Sequence, residues 1–503
     1  MLIGFVLLYL LLTVAIGIWA ARRVRNSRDF LLAGRSLPLY MNVATVFATW
    51  LGAETVLSVS ATFARDGLGG VVADPFGASF CLVFVALFFA RAFYRMDLLT
   101  IGDFYRRRYN KPVEVATATA ITFSYLGWTS AQLTAIGLVF SVLSGGSVSL
   151  TEGILIGGAS VLCYTVLGGM WSIALTDLFQ SVVIVVGLCA IAFLVSDMAG
   201  GPATVIAAAA EAGKFDFWPK GDARDWFAFV TAFLILSVGA VPQQDIFQRV
   251  TSAKDEQTAV RGSLLGAALY FGFAFVPIFI AYAALVVDPS MSRLFEADDA
   301  REVQRILPDL ILGRLPVWAQ VLFFGALLSA ILSTASAALL APASLFSENV
   351  IRPFAPRLGD KQFLLLVRVV LVTFALGALV FAINSRSTMY EMVQNAYGVT
   401  MVSCLVPLVA GIYWKRANVP GAVLAVTLGL TSWGAAAWLA PDAMLPPVLI
   451  GLLASACGML LGTYAAARPS APTYARAPHG EPRSGQAGSA ARTPGRPPRP
   501  RRT

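Results

Sequence analysis

The chain has 503 residues, of which 57% are hydrophobic and only 13% are charged, and its formal net charge is +9. Long apolar runs recur through most of its length, which is typical of an all-α polytopic membrane protein and excludes an ordinary soluble domain. The positive charge does not indicate nucleic-acid binding, because most of it lies after Ala467, in a Pro-, Gly- and Ser-rich segment predicted to be a disordered basic tail.

About thirteen transmembrane helices are predicted from the apolar runs. Arginine and lysine concentrate in the linkers after odd-numbered spans, and Arg249 is assigned to the linker after the seventh. Because cationic linkers stay in the cytoplasm, we expect an inner (plasma) membrane protein with its amino terminus outside and its carboxyl terminus cytoplasmic. The spans lie near residues 2–21, 40–62, 70–93, 115–143, 149–168, 172–198, 226–247, 260–287, 316–346, 363–384, 390–413, 420–440 and 446–466.

The second span contains the polar sequence ATWLGAET within an otherwise apolar run. Glu54 is costly at this depth, and carboxylates in such positions usually face a cavity or a pathway. Gly52 is a position at which the helix can unwind, which would free backbone carbonyl groups for an ion. The pattern predicts half of a combined solute and ion site.

The seventh and ninth spans are also interrupted. Pro242 precedes Gln243 and Gln244 near the cytoplasmic end of the seventh span, and proline removes a helical hydrogen bond. The second and seventh spans are both interrupted and lie five spans apart, which predicts a transporter built from two inverted five-helix repeats. In the ninth span, Ser333 and Thr334 offer hydroxyl oxygens that suit Na⁺, although small and hydroxyl residues also occur at ordinary helix contacts.

Two tryptophans lie away from the membrane interfaces. Trp50 and Trp128 could hold a cation by their ring faces, cover an apolar or sugar-like ligand, or simply pack in the core. Glu54 could bind the solute, couple transport to protons, or form a hydrogen bond within the bundle. Thr55 follows it and is assigned to the same solute site.

Further polar residues lie in later spans. Asp177 could guide a cation toward the cytoplasm or pair with a linker arginine. Gln243 and Gln244 could bind a polar solute or satisfy backbone groups freed by the break, and Tyr397 in the eleventh span is a weaker candidate. The chain has no P-loop, and its single histidine, His479, lies in the tail, so we predict neither an ATPase nor another enzyme.

Five segments together carry a resemblance to a known family: FLLAGRSLPL at 30–39, ATWLGAE at 48–54, LGGMWSIALTDLFQ at 167–180, QDIFQRVTSAKD at 244–255 and ALLSAILSTASAALLAPASLFSENV at 326–350. The chain resembles the sodium:solute symporters, and it is more similar to their choline-transporter branch than to the sugar or proline branches. The resemblance implies a LeuT-like core with repeats at 40–198 and 199–413. Residues 1–39 then precede the core, and 414–466 and the tail at 467–503 follow it.

The resemblance also implies a sodium site between the second and ninth spans, with Asp177 on the inward route of the ion. Its ligands would be the carbonyl oxygens of Ala48, Leu51 and Ala330 and the hydroxyls of Ser333 and Thr334.

Two of the branch's aromatic positions are Ala78 and Gln243 here, which implies a more polar solute than choline. We therefore expect a sodium-coupled importer of a small polar organic solute, with Na⁺ as co-transported ion, no organic cofactor and no obligate protein partner. Choline or another quaternary amine, a solute sensor that does not transport, and proton coupling are the alternatives. The predicted solute site contains Trp50, Glu54, Thr55, Trp128, Gln243, Gln244 and Tyr397.

Overall fold

The computed structural model of the protein describes residues 2–297 and 299–465, so the predicted tail lies outside the described residues. These residues form helices joined by turns and loops, with one isolated bridge between Leu37 and Ala253. The first nine helices are α1 Leu2–Ala21, α2 Ser27–Leu32, α3 Leu39–Trp50, α4 Glu54–Asp66, α5 Leu68–Met96, α6 Ile101–Arg108, α7 Lys111–Leu143, α8 Leu150–Met198 and α9 Pro202–Glu211. The remaining α-helices are α10 Ala223–Ser237, α11 Gln244–Ser252, α12 Glu256–Val287, α13 Ile306–Arg314, α14 Val317–Phe354, α15 Asp360–Asn384, α16 Met389–Tyr413, α17 Val419–Leu439 and α18 Pro447–Ala465. Short 3-10 helices lie at Ala33–Arg35, Pro289–Glu296 and Ala300–Arg305.

The all-helical membrane class is confirmed, but the predicted number of spans is too high. Among the described residues, ten helices are long and apolar enough to cross a bilayer, and the bent pair α3 and α4 makes eleven. The two other predicted spans are shorter helical segments. Residues 149–168 belong to the first part of α8, and residues 226–247 are divided between α10, with 15 residues, and α11, with 9.

A sharp kink divides α8 at Gly169, whose backbone has φ +52°. A Cβ atom there would lie 2.4 Å from the carbonyl oxygen of Phe30, so both the backbone conformation and the close approach of α2 require glycine. The kink directs the second half of α8, which carries Asp177, along α14 in the interior.

The centre of the bundle is α14, in which every side chain from Phe323 to Leu345 is buried. It packs against α1, α3, α7, α8 and α15. By contrast, α1 and α15 turn leucine and valine side chains outward, among them Leu8, Leu11 and Leu365. A helix that is buried all round belongs to the core of a bundle, whereas apolar residues on an outer face suit contact with lipid.

Two interrupted helices meet at the middle of the bundle. The axis bends by 54° between α3 and α4, and the segment between α10 and α11 is not helical. The Asn42 side chain in α3 donates a hydrogen bond to the carbonyl oxygen of Arg249 in α11 at 2.7 Å. Arg249 is only 3% exposed and lies within α11, not in a linker after the seventh span as predicted.

Candidate functional site

The break after α3 lies directly against α14. Leu51 has φ −86° and ψ 77°, outside the helical region, so the helix cannot continue past Trp50. The Thr334 hydroxyl of α14 donates to the carbonyl oxygens of Ala48 and Thr49, at 3.4 and 3.1 Å respectively. Backbone oxygens at the end of α3 are thereby held against a hydroxyl of the central helix.

The neighbouring hydroxyl faces α8. Ser333 donates to Asp177 Oδ1 at 2.6 Å, and Asp177 is fully buried. The second carboxylate oxygen of Asp177 has no hydrogen-bond partner within the described part of the chain. Leu51 and Ala330, the other two predicted sodium ligands, are also fully buried, on the break and on α14. Carbonyl, hydroxyl and carboxylate oxygens are the donors that a hard cation such as Na⁺ prefers.

A buried arginine links this oxygen-rich region to α11. Arg249 donates from Nε and Nη2 to the Thr49 hydroxyl, at 3.1 and 2.9 Å, and from Nη1 to the Asp245 carbonyl oxygen at 3.4 Å. Thr49 therefore contacts both α14 and α11: its carbonyl accepts a hydrogen bond from Thr334, and its hydroxyl accepts from the Arg249 guanidinium. This contact joins the two interrupted helices.

On the other side of the break lies a group of five buried rings, which we call the aromatic cluster: Trp50, Tyr125, Trp128, Tyr270 and Tyr397. Trp50 stacks on Tyr397 with 6.4 Å between ring centroids and 11° between planes, and it meets Tyr270 edge-on at 6.2 Å. Trp128 lies 6.0 Å from Tyr397 and 5.8 Å from Tyr125. The predicted residues Trp50, Trp128 and Tyr397 thus lie together.

Glu54 is held against α7 beside this cluster. Its carboxylate accepts hydrogen bonds from Gln132 Nε2 at 2.6 Å and from Trp128 Nε1 at 3.3 Å. The amide oxygen of Gln132 in turn accepts from the backbone N–H of Ala53 at 3.1 Å, so one side chain holds both the break and the carboxylate. Glu54 therefore forms hydrogen bonds within the bundle, which is one of the three alternatives stated for it from the sequence.

Two further carboxylates lie at the cluster. Asp74 of α5 accepts hydrogen bonds from the Thr55 hydroxyl at 3.0 Å and from the Tyr270 hydroxyl. Asp245 of α11 accepts from the Tyr125 hydroxyl, which also accepts from the Asp245 backbone N–H at 2.9 Å. Both carboxylates are buried, as Glu54 is.

The two glutamines at the break before α11 lie in different surroundings. Gln243 donates to the hydroxyls of Ser124 and Thr400, at 3.1 and 3.3 Å. Along the chain, Ser124 precedes Tyr125 of the aromatic cluster on α7, and Thr400 lies three residues after Tyr397 on α16. Gln244 instead accepts from the Ile101 backbone N–H at 2.8 Å and approaches Ser344 at 3.5 Å. The structure therefore does not bring Gln244 together with the other predicted solute residues.

Sequence reasoning missed Asp74, Tyr125, Gln132 and Tyr270. Asp74 could have been found by the criterion that identified Glu54, since it is a lone carboxylate inside an apolar run. The two tyrosines carry no comparable signal, because buried aromatic residues are common in any helical core. Gln132 lies one turn beyond Trp128 on α7, and only the fold brings it to Glu54.

The profile described as "Sodium:solute symporter family" matches residues 30–429. The chain belongs to this family. It is 26% identical over 453 residues to the high-affinity choline transporter 1 of Caenorhabditis elegans, covering 85% of this chain and 76% of the relative. It is also 26% identical over 441 residues to the Homo sapiens high affinity choline transporter 1, covering 85% and 75%.

A solved structure supports the fold. A Na⁺-coupled sialic acid symporter in a substrate-bound outward-open state superposes with a TM-score of 0.78 at 19% identity, covering 93% of this chain and 98% of that one. The protein is thus a multi-pass membrane transporter of the sodium:solute symporter family with a LeuT-like helical fold, not an enzyme. The family implies Na⁺ as the co-transported ion.

Proposed function

We propose that this symporter imports a small polar organic solute together with Na⁺ by alternating access. The observation that carries the proposal is the position of the Thr334 hydroxyl, which lies on the Ala48 and Thr49 carbonyls at the break of α3. The aromatic cluster begins at the next residue, Trp50. An ion site and a solute site built on the two sides of one break can be ordered together.

The proposed sodium ligands are the five oxygens that the family resemblance implies, and Asp177 lies on the proposed route to the cytoplasm. Na⁺ there would hold the break in one arrangement and so complete the solute site on its other side. A ligand shifts a conformational equilibrium only if it binds the two states differently, so coupling requires that both ligands prefer the same arrangement. The membrane potential adds about 2.3 kcal/mol per charge per 100 mV.

The proposed topology has the amino terminus outside and residues 40–198 and 199–413 as inverted repeats. Its support is the distribution of basic linkers and the interruption of two helices in corresponding positions. Cysteine labelling from either side of inverted and right-side-out vesicles, at single cysteines introduced into the loops, tests this arrangement.

Uptake of a quaternary amine such as choline is the second candidate. It is favoured by the stacked rings of Trp50 and Tyr397, with Trp128 beside them, because aromatic faces attract a quaternary ammonium group, which has no N–H donor of its own. The similarity of the chain to two high-affinity choline transporters points the same way.

The test is uptake by proteoliposomes that contain the purified protein. The proposal expects solute to accumulate against its own gradient only when Na⁺ is higher outside than inside. Accumulation driven equally by a proton gradient without Na⁺ would favour proton coupling. Binding of a solute without accumulation under either gradient would favour a sensor and overturn the proposal.

A further inference from the structure

We propose that the solute is an organic cation with N–H donors, an amine or guanidinium compound, and that Gln243 accepts one of those N–H groups. This inference rests on the proposed function, since it concerns the same solute site. Two independent features support it: the balance of buried charge and one buried amide oxygen without a partner.

The buried residues around the break include more acidic than basic side chains. Glu54, Asp74, Asp177 and Asp245 are each at most 4% exposed, and Arg249 is the one buried basic residue within the described part of the chain. Buried charge is costly unless it is compensated. Na⁺ beside Asp177 would compensate one carboxylate, and a cationic solute among the aromatic cluster would compensate another.

The carboxylates at the cluster are distributed around the rings. Each carboxylate accepts a hydrogen bond from one of the rings: Glu54 from Trp128, Asp74 from Tyr270 and Asp245 from Tyr125. Aromatic faces also attract cations. Both kinds of group therefore favour a positive solute over a neutral or anionic one.

The orientation of the Gln243 amide follows from its neighbours. The Ser124 hydroxyl donates to the Ile121 carbonyl at 2.7 Å, and the Thr400 hydroxyl donates to the Gly239 carbonyl at 2.6 Å. Each hydroxyl uses its one proton to donate to a backbone carbonyl, so it can only accept a hydrogen bond from Gln243. The amide nitrogen, which is the donor of that side chain, must therefore face the two hydroxyls. The amide oxygen then points elsewhere.

That oxygen is the unexplained group. Gln243 is 1% exposed, and its Oε1 atom has no hydrogen-bond partner in the described ranges. A buried acceptor without a donor is destabilising, so such an atom indicates a missing partner. The Ser124 and Thr400 hydroxyls already donate to backbone carbonyls, so they cannot donate to this oxygen. Along the chain, Tyr125 follows Ser124 on α7, and Tyr397 lies three residues before Thr400 on α16. A solute N–H can supply the donor, whereas a quaternary ammonium group has none.

The experiment uses ethanolamine and its mono-, di- and trimethylated derivatives, the last of which is choline. The four cations share one hydroxyl and one charge, and differ in having three, two, one or no N–H groups. Purified full-length protein is titrated with each in Na⁺, with thermal stabilisation as the first readout and competition for Na⁺-dependent uptake as the second. We expect ethanolamine to bind at least about tenfold more tightly than choline, in line with the loss of a charge-assisted hydrogen bond.

Gln243→Met supplies the key variant, because methionine has a similar length and no acceptor of comparable strength. It should bring the ratio of the ethanolamine and choline affinities close to one. Gln248→Met is the matched control: Gln248 is also buried and has an unpartnered Oε1, but its nitrogen donates to the Leu31 carbonyl and to Ser344, away from the aromatic cluster. That variant should keep the wild-type ratio.

Choline binding as tightly as ethanolamine in the wild type would overturn the inference, and so would equal ratios in the two glutamine variants. If Gln243→Met does not fold, the wild-type methylation series alone decides. Na⁺-driven uptake of a neutral or anionic solute, with none of the four cations bound, refutes the cationic solute and leaves the symport proposal intact. Uptake that ignores Na⁺ refutes the symport proposal instead.

Discussion

Replacing Thr334 by alanine gives the sharpest test of the proposed sodium site. The substitution removes one hydroxyl that lies 3.4 Å from the Ala48 oxygen and 3.1 Å from the Thr49 oxygen. A hydrogen-bonding group that interacts with a charge contributes about 1.5–3 kcal/mol, and each 1.4 kcal/mol is a factor of about ten. The Na⁺ concentration for half-saturation should therefore rise about tenfold or more.

Matched variants separate loss of the ligand from loss of packing. Thr334→Ser keeps the hydroxyl and should stay near the wild-type Na⁺ affinity, whereas Thr334→Val keeps the shape and should be as impaired as alanine. Ser344→Ala removes another fully buried hydroxyl of α14, one that donates to the Ala341 carbonyl of its own helix at 2.7 Å. It should leave Na⁺ binding nearly unchanged.

Binding of radioactive sodium and Na⁺-dependent thermal stabilisation measure the effect without knowledge of the solute. The reasoning is refuted if Thr334→Ala and Ser344→Ala require the same Na⁺ concentration. It is also refuted if Thr334→Val behaves like the wild type, because the hydroxyl would then contribute nothing to the ion.

Three further substitutions test other parts of the structure. Asp177→Asn should lower the maximal Na⁺-driven uptake rate more than it changes half-saturation, since the amide can still accept from Ser333 but lacks the charge proposed to guide the ion; initial rates in proteoliposomes decide. Gly169→Ala should destabilise the protein by about 1–3 kcal/mol in thermal unfolding, because of the positive φ and the contact with Phe30, and an unchanged midpoint would contradict this. Asn349→Leu removes the amide that donates to buried carboxylates on α6 and α7 at 3.1 and 2.7 Å, and should cost about 2–4 kcal/mol by the same measurement; a loss below 1 kcal/mol would show that other groups replace it.

The interruptions of the helices could be predicted from the sequence because of the bilayer itself. Every backbone group in a membrane needs a partner, so Gly52 beside Glu54, and Pro242 beside two glutamines, are recognisable exceptions in apolar runs. The same property explains the error in the span count. An interrupted segment such as 226–247 becomes two short helices, and neither has the length of a span.

The partners of the polar residues could not be predicted, because they depend on contacts between distant helices. Tyr270 reaches Asp74 from α12, and Gln132 reaches Glu54 from α7. Arg249 falls just beyond the predicted span at 226–247, in a linker whose basic residues predict a cytoplasmic location. In the structure the Arg249 guanidinium donates hydrogen bonds to the Thr49 hydroxyl and to the Asp245 backbone carbonyl, and these contacts make its burial possible.

The contacts of Thr49 give a physical basis for coupling between the two proposed ligands. Its carbonyl accepts a hydrogen bond from Thr334 at the proposed ion site, and its hydroxyl accepts from Arg249 of α11. The same helix contains Asp245, which accepts a hydrogen bond from Tyr125 of the aromatic cluster. If binding of Na⁺ shifts this residue, the support of the rings would change with it, and the reverse effect would have the same size by thermodynamic linkage. Coupling of about 1–3 kcal/mol, or roughly 5- to 150-fold in affinity, is typical of such arrangements. A solute that bound among the rings without changing this contact would be held but not coupled, so the strength of the Na⁺ effect on solute binding reports directly on whether the break is the coupling element.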